Sequence, residues 1–245
     1  MGPAARIGKA TRAGARQGAS TAFLAAQRRR WAMPKGLPNG LTLICLALGL
    51  LAALAAGRGE TSGALSLMAL AAMADSLAGW SAQGMSLRSD LGAELDSLAS
   101  LMIWGVAAAL LLYSQGLEAL GGAGLGLAGL LAAAAAWRLC RGDVQTGRDR
   151  YQGLPLTVGG LLLVALVAWD ASPGALAAGV LVVAAAWLSP FTWPRRRLSL
   201  WLAVTLLLSL LLAAEGWRPG WIIPAMVGGA WALLAPFHKG RARKN

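Results

Sequence analysis

Residues 41–57 read LTLICLALGLLAALAAG, a run without a single charged side chain. A helix of about 20 apolar residues crosses the hydrocarbon core of a bilayer, and the workable range is about 17–25 residues. An uncharged run of this length is typical of a membrane span. The stretch therefore predicts that the chain is an integral membrane protein.

The composition of the whole chain indicates the same class of protein. Of the 245 residues, 57% are apolar and 13% are charged, and the mean hydropathy is +0.60. A soluble domain carries about a quarter charged residues, and a disordered chain is poor in apolar side chains, so both classes are excluded. The two cysteines, Cys45 and Cys140, lie inside apolar stretches, which excludes a secreted disulfide scaffold.

The apolar pattern predicts an all-α fold, a polytopic bundle of eight transmembrane helices. The predicted spans are residues 41–57, 63–82, 92–114, 119–140, 154–170, 173–190, 198–214 and 220–237. The predicted divisions of the chain are a basic tail at 1–36, a six-helix core at 37–190, two additional spans within 191–237 and a second basic tail at 238–245.

The charge of the loops predicts the orientation. The net charge is +12, and 20 of the 22 Lys and Arg residues fall on one side of the eight predicted spans. Because positive loops stay in the cytoplasm, we predict a multi-pass protein of the cell membrane with both termini cytoplasmic and no nucleic-acid partner. Residues 21–33 are either an interfacial helix on anionic membrane lipids or a solvated basic segment that only fixes the orientation.

Three acidic residues, Asp75, Glu94 and Asp96, lie within or at the cytoplasmic ends of the second and third predicted spans. Asp75 falls in the cytoplasmic half of the second span, and Asp96 lies at a similar depth in the third. Intramembrane carboxylates are costly, so each is a functional hypothesis by default. Facing carboxylates on neighbouring helices would offer hard oxygen ligands to a divalent cation. The alternative is a pair hydrogen-bonded to serine or backbone groups without a metal.

The residues around Asp75 and Asp96 have a specific spacing. Residues 75–83 read DSLAGWSAQ, eight residues follow, and residues 92–100 read GAELDSLAS. The pattern resembles the signature of the CDP-alcohol phosphatidyltransferase family, D-x-x-D-G-x-x-A-R, eight residues, G-x-x-x-D-x-x-x-D. Within that family the chain is most similar to the membrane-embedded bacterial phosphatidylserine synthases. That closer likeness is carried by LPNGLTL at 37–43, RLCR at 138–141 and YQGLP at 151–155.

The resemblance implies an activity, a cofactor and a set of site residues. The implied reaction transfers a phosphatidyl group from CDP-diacylglycerol to an alcohol, L-serine by closest likeness, and releases CMP with Mg²⁺ or Mn²⁺ as cofactor. The implied metal ligands are Asp75 and Asp96, and the implied substrate-binding residues are Gly79, Ala82, Gly92, Arg138 and Arg141. The two arginines have an equally open alternative role, as anchors that reach toward lipid headgroups. Members of the family are often dimeric, so the resemblance also points to a homodimer.

Three positions depart from the family signature. Ala78 stands at an aspartate position, Gln83 at the arginine position and Ser100 at the aspartate that serves as general base. Proton abstraction works best with a group whose pKa lies near the operating pH, so a serine is a poor replacement and no catalytic residue is intact. The sequence leaves open a weakened transferase and a catalytically inactive homologue that binds CDP-lipid, lipid or a membrane partner. An ion transporter is disfavoured by the specific motif spacing.

Overall fold

The structure is a computed structural model that describes residues 37–85, 90–145, 150–194, 208–209, 212–213 and 215–234. Its α-helices are α1 (Leu37–Gly57), α2 (Thr61–Met85), α3 (Asp90–Ser100), α4 (Ala108–Ser114), α5 (Gly122–Gln145), α6 (Leu156–Ala168), α7 (Pro173–Leu188) and α8 (Ile222–Leu234). A π-helix, Leu101–Ala107, joins α3 to α4, and 3-10 helices at Leu117–Leu120 and Arg218–Trp221 precede α5 and α8. Both basic tails and most of the predicted span 198–214 lie outside the described residues.

Four stretches in the described part of the chain are long and apolar enough to cross a bilayer. They are Asn39–Gly57, Thr61–Ala78, Leu91–Ser114 and Gly122–Arg141. The helices α6 and α7 are also apolar but shorter, with 13 and 16 residues. The prediction of a helical membrane bundle is confirmed, whereas the number of eight spans stays a prediction.

The first two helices form a tight hairpin. Gly59 between them has a φ of +75°, a left-handed conformation that glycine adopts without steric cost. The amides of Gly59 and Glu60 donate to the carbonyls of Ala56 and Ala55 at 3.0 and 2.9 Å, which satisfies acceptors that the end of α1 would otherwise leave unpaired. The reversal brings the start of α1 and the end of α2 to the same end of the bundle.

Helix α1 lies at the centre of the motif-bearing half. It packs against α2, α3, the π-helix and α4, while α5 packs against the π-helix, α4 and α7. The side of α1 that faces these neighbours carries small buried residues, among them Cys45, Ala52 and Ala56. Without a hydrophobic driving force inside lipid, small side chains stabilise helix pairs by letting their backbones approach closely.

Two consecutive glycines at the start of α6 admit two tryptophans into the core. A Cβ on Gly159 would lie 2.5 Å from Nε1 of Trp187, and a Cβ on Gly160 would lie 2.7 Å from Cδ2 of Trp104. Both indole rings are fully buried. Their N–H groups have no hydrogen-bond partner among the described residues, so shape rather than polar pairing holds the rings in place.

The described residues differ from the all-helical prediction by a short strand pair. Strand β1 (Arg150–Gln152) pairs antiparallel with β2 (Thr192–Pro194). The amide of Gly153, which has a φ of +77°, extends the contact by donating to the carbonyl of Phe191 at 2.9 Å. The pair therefore ties the segment that enters α6 to the segment that leaves α7.

Candidate functional site

Asp75 and Asp96 come together at one end of the bundle. Asp75 lies on α2, ten residues before Met85 ends that helix, and Asp96 lies in the second turn of α3. The two carboxyl groups are close enough for a side-chain hydrogen bond to each other. Two carboxylates at such a distance are stable together only with a shared proton or a cation between them. The expected meeting of the two acids is present, and their role as metal ligands stays a prediction.

Helix α1 forms the wall behind the carboxyl pair. The thiol of Cys45 is fully buried and donates to the carbonyl of Ala71, one turn before Asp75, at 3.4 Å. The thiol also lies within electrostatic range of both carboxyl groups. Thr42, one turn earlier on α1, is buried as well, with 6% of its surface exposed. The pair thus faces a close-packed wall on the α1 side.

The other residues of the signature take their expected places along two helices. Gly92, Asp96 and Ser100 are spaced by four residues on α3 and therefore share one face. Ala78 is buried on α2, with 4% of its surface exposed, one turn beyond Asp75. Gly79, Ala82 and Gln83 continue the same helix toward Met85. Ala78 and Ser100 thus lie one turn from the acids of the pair, whereas Gln83 lies more than two turns beyond Asp75.

Two arginines lie near the end of α5. Because consecutive helices run in opposite directions, this end is on the same side of the bundle as the carboxyl pair. Arg138 is buried, with 9% of its surface exposed. Arg141 donates from Nη2 to the carbonyls of Leu188 and Ser189, at 3.0 and 2.7 Å. Leu188 is the last residue of α7 and Ser189 follows it; carbonyls at a helix end lack partners within the helix and attract a cation. Arg141 therefore ties α5 to α7, a contact that the sequence analysis missed because the partner lies 47 residues away.

We expect this tie to contribute to stability. Replacing Arg141 by Met should lower the free energy of unfolding by about 1 kcal/mol, the value of a typical hydrogen bond in a partly exposed site. Arg141→Lys should recover part of the loss, because a cation remains at the helix end. Denaturant unfolding in detergent measures the difference, with Arg58→Met, an exposed arginine of the α1–α2 turn, as the matched control. Equal midpoints for Arg141→Met and Arg58→Met would contradict the tie.

The carboxyl pair fits one divalent cation better than two. The described residues contain no group of three His, Cys, Asp or Glu side chains placed to hold a metal. Magnesium is commonly held by one or two protein carboxylates together with substrate phosphates, which Asp75 and Asp96 can supply. A two-metal clamp would need further carboxylates, and Ala78 and Ser100 provide none.

Comparisons with known proteins identify a family that matches this chain. A model of the family described as CDP-alcohol phosphatidyltransferase matches residues 35–191, which include α1 to α7. The chain is 39% identical over 77 residues to the CDP-diacylglycerol–serine O-phosphatidyltransferase of Mycobacterium tuberculosis, covering 31% of this chain and 27% of that protein. It is 35% identical over 131 residues to the archaetidylserine synthase of Methanothermobacter thermautotrophicus, covering 50% and 53%. The matches thus span about a quarter and about half of these two relatives.

Proposed function

Because the chain belongs to the CDP-alcohol phosphatidyltransferase family, we propose that it transfers a phosphatidyl group from CDP-diacylglycerol to L-serine and releases CMP. The observation that carries the proposal is the contact between Asp75 and Asp96, the two acids that the family signature retains here. The choice of serine is supported by the names of the two relatives, both of which are serine-type synthases.

The proposed reaction is a displacement at phosphorus. The serine hydroxyl oxygen attacks the lipid-side phosphorus, a new P–O bond forms, and the bond to CMP breaks. A Mg²⁺ or Mn²⁺ ion, when bound, neutralises charge on the pyrophosphate. Asp75 and Asp96 would hold that ion, and Arg138 and the remaining donors of Arg141 would bind phosphate oxygens. The small residues Gly79, Ala82 and Gly92 would leave room for the nucleotide beside the helix backbones.

The step least supported by the site is removal of the proton from the hydroxyl group of the serine substrate. Ser100 occupies the general-base position one turn beyond Asp96, and at neutral pH a hydroxyl accepts a proton far less readily than a carboxylate does. The proton therefore passes to water in our proposal. Since a positioned base contributes about 10²–10⁴-fold, we expect slow turnover.

A metal-dependent assay tests the proposal. Purified full-length protein in mixed micelles with CDP-diacylglycerol and L-serine should release CMP only when Mn²⁺ or Mg²⁺ is present. Asp96→Asn should lower that rate about ten-fold or more, because a metal ligand is lost. The matched control is Glu94→Gln, since Glu94 is an exposed acid two residues away, about 200° around the helix. A rate that is indifferent to metal and to Asp96→Asn would contradict the proposal.

A catalytically inactive homologue is the second candidate function. It is favoured by Ala78, Gln83 and Ser100, which together remove two carboxylates and a guanidinium from the signature. Such a protein would bind CDP-diacylglycerol, another lipid or a membrane partner without turnover. A thermal shift on addition of CDP-diacylglycerol, with CMP release at the background level in every acceptor tried, would select this candidate.

The membrane arrangement of the chain is part of the proposal. The distribution of Lys and Arg supports a cell-membrane protein with cytoplasmic termini and anionic lipids as partners of the first basic tail. A homodimer is supported by one exposed face of α5. On that face, Cβ atoms added at Gly122, Gly126 and Gly129 would meet nothing within 4 Å, which leaves room for a second helix.

A further inference from the structure

The helix that carries Asp96 changes its winding after Ser100. Residues Leu101–Ala107 form a π-helix between α3 and α4, and at its end the amide of Ala108 donates to the carbonyls of Ile103 and Gly105. A π-turn holds one residue more than an α-turn, and such insertions are found often at functional sites. Because an α-helix turns about 100° per residue, one extra residue decides which way every residue before it points.

The half of this helix that follows the insertion is fixed by packing. Three consecutive residues, Ile103, Trp104 and Gly105, are fully buried or nearly so, and each meets a different helix. Cβ atoms added at Gly49 of α1 and Gly160 of α6 would lie 2.9 Å from Ile103 Cγ1 and 2.7 Å from Trp104 Cδ2. On the third side, a Cβ added at Gly105 would lie 3.1 Å from the Cβ of Ala135 on α5. The π-helix is therefore packed against three helices with no spare room for a methyl group at any of these glycines, and this packing fixes its rotation.

The half that precedes the insertion exposes more of its surface. Leu91 and Leu98 of α3 are 60% and 53% exposed, and Asp96, which contacts Asp75, is exposed as well. Packing therefore sets the rotation of α4, and the winding of the π-helix passes that rotation on to α3. If the same residues formed an α-helix instead of a π-helix, Asp96 would be rotated by about 100° about the helix axis. Its carboxyl group would then point away from Asp75.

We propose that the π-helix Leu101–Ala107 is a positioning element, which takes up one surplus residue so that Asp96 faces Asp75. The inference rests on the carboxyl pair of the proposed active site and not on its turnover. The proposal predicts an unusual result for single-residue deletions. Removing one residue from the π-helix should convert it to an α-helix and leave Asp96 facing Asp75, although deletions in packed membrane helices ordinarily break such a contact.

A thiol cross-link tests this register directly. The parent carries Asp75→Cys and Asp96→Cys, with Cys45→Ser and Cys140→Ser so that only these two thiols react. Dibromobimane, which becomes fluorescent once both of its arms have reacted with thiols, reports their proximity. The test variant is a deletion of Val106 inside the π-helix. The matched control is a deletion of Leu70, an exposed residue of α2, a regular helix that contains no π-turn to absorb the change.

We expect the Val106 deletion to cross-link within about two-fold of the parent and the Leu70 deletion about ten-fold less, because the reacting thiols must meet closely. A deletion of Met102, at the other end of the π-helix, should behave like the Val106 deletion. Loss of the cross-link in both π-helix deletions, through rotation or through misfolding, would overturn the proposal, and so would retention in all three. A parent that fails to cross-link would contradict the carboxyl pair and the proposed active site with it.

Discussion

Restoring the three signature residues, by Ala78→Asp, Gln83→Arg and Ser100→Asp in one chain, is expected to raise CMP release about 10²–10⁴-fold. The gain follows mainly from Ser100→Asp, which places a carboxylate one turn from Asp96 on the same face of α3. Ala78→Asp adds a third carboxylate beside Asp75 for the cation. The rates are compared in the same CDP-diacylglycerol micelles with L-serine and Mn²⁺.

Single variants show which part of the gain comes from the base. Ser100→Asp alone should recover most of the rate, while Gln83→Arg alone should leave it nearly unchanged because the proton still lacks an acceptor. Ala78→Asp alone should lower stability in the absence of metal, since Ala78 is buried and a buried unpaired carboxylate is costly. A folded triple variant without any gain in rate would mean that the rest of the site has lost its substrate, and would favour the binding protein over the transferase.

Replacing Gly160 by Val is expected to lower the free energy of unfolding by about 3 kcal/mol. The added Cβ would lie 2.7 Å from Cδ2 of Trp104. The Trp104 ring is fully buried and packed among the surrounding helices. The ring cannot move aside as the tip of a flexible side chain would. Gly160→Ala should give an intermediate loss. Since domains are stable by about 5–15 kcal/mol, the valine variant should unfold at a clearly lower denaturant concentration.

Gly129 provides the control for this substitution. It lies within α5 like Gly160 within α6, but a Cβ there would meet nothing within 4 Å. In the detergent-solubilised monomer, Gly129→Ala should therefore be neutral or slightly stabilising, because alanine favours the helix by about 1 kcal/mol over glycine. Denaturant unfolding followed by tryptophan fluorescence compares the variants. If Gly160→Ala and Gly129→Ala unfold at the same denaturant concentration, the close packing of Trp104 against Gly160 is not rigid.

The helices of the core could be predicted from the sequence because apolar length is a strong signal. The predicted spans 41–57 and 92–114 correspond to α1 and to the continuous helix from α3 to α4. The meeting of Asp75 and Asp96 could also be foreseen, since both acids lie at similar depth on helices joined by a short connection. Their exact rotation could not be foreseen, because it depends on the π-helix.

The features that the sequence did not reveal have a common physical reason. The segment Leu101–Ala107 is apolar on all sides, so its pattern carries no period that would distinguish a π-helix from an α-helix. The strands β1 and β2 have three residues each, too few for a visible alternation. The bond from Arg141 to the end of α7 joins residues distant in sequence, and positive charge at a helix end has several equally reasonable explanations. In each case long-range packing, rather than local pattern, decides the structure.

The short helix α6 has a consequence for the depth at which the neighbouring backbone lies. Its 13 residues rise about 20 Å, while the hydrocarbon core is about 30 Å thick. No residue of α6 is exposed, so neighbouring helices rather than lipid surround it, and the missing length is met inside the protein. Backbone beyond an end of α6 can therefore lie below the level of the headgroups, where non-helical chain is tolerated if protein or a water-filled cavity surrounds it.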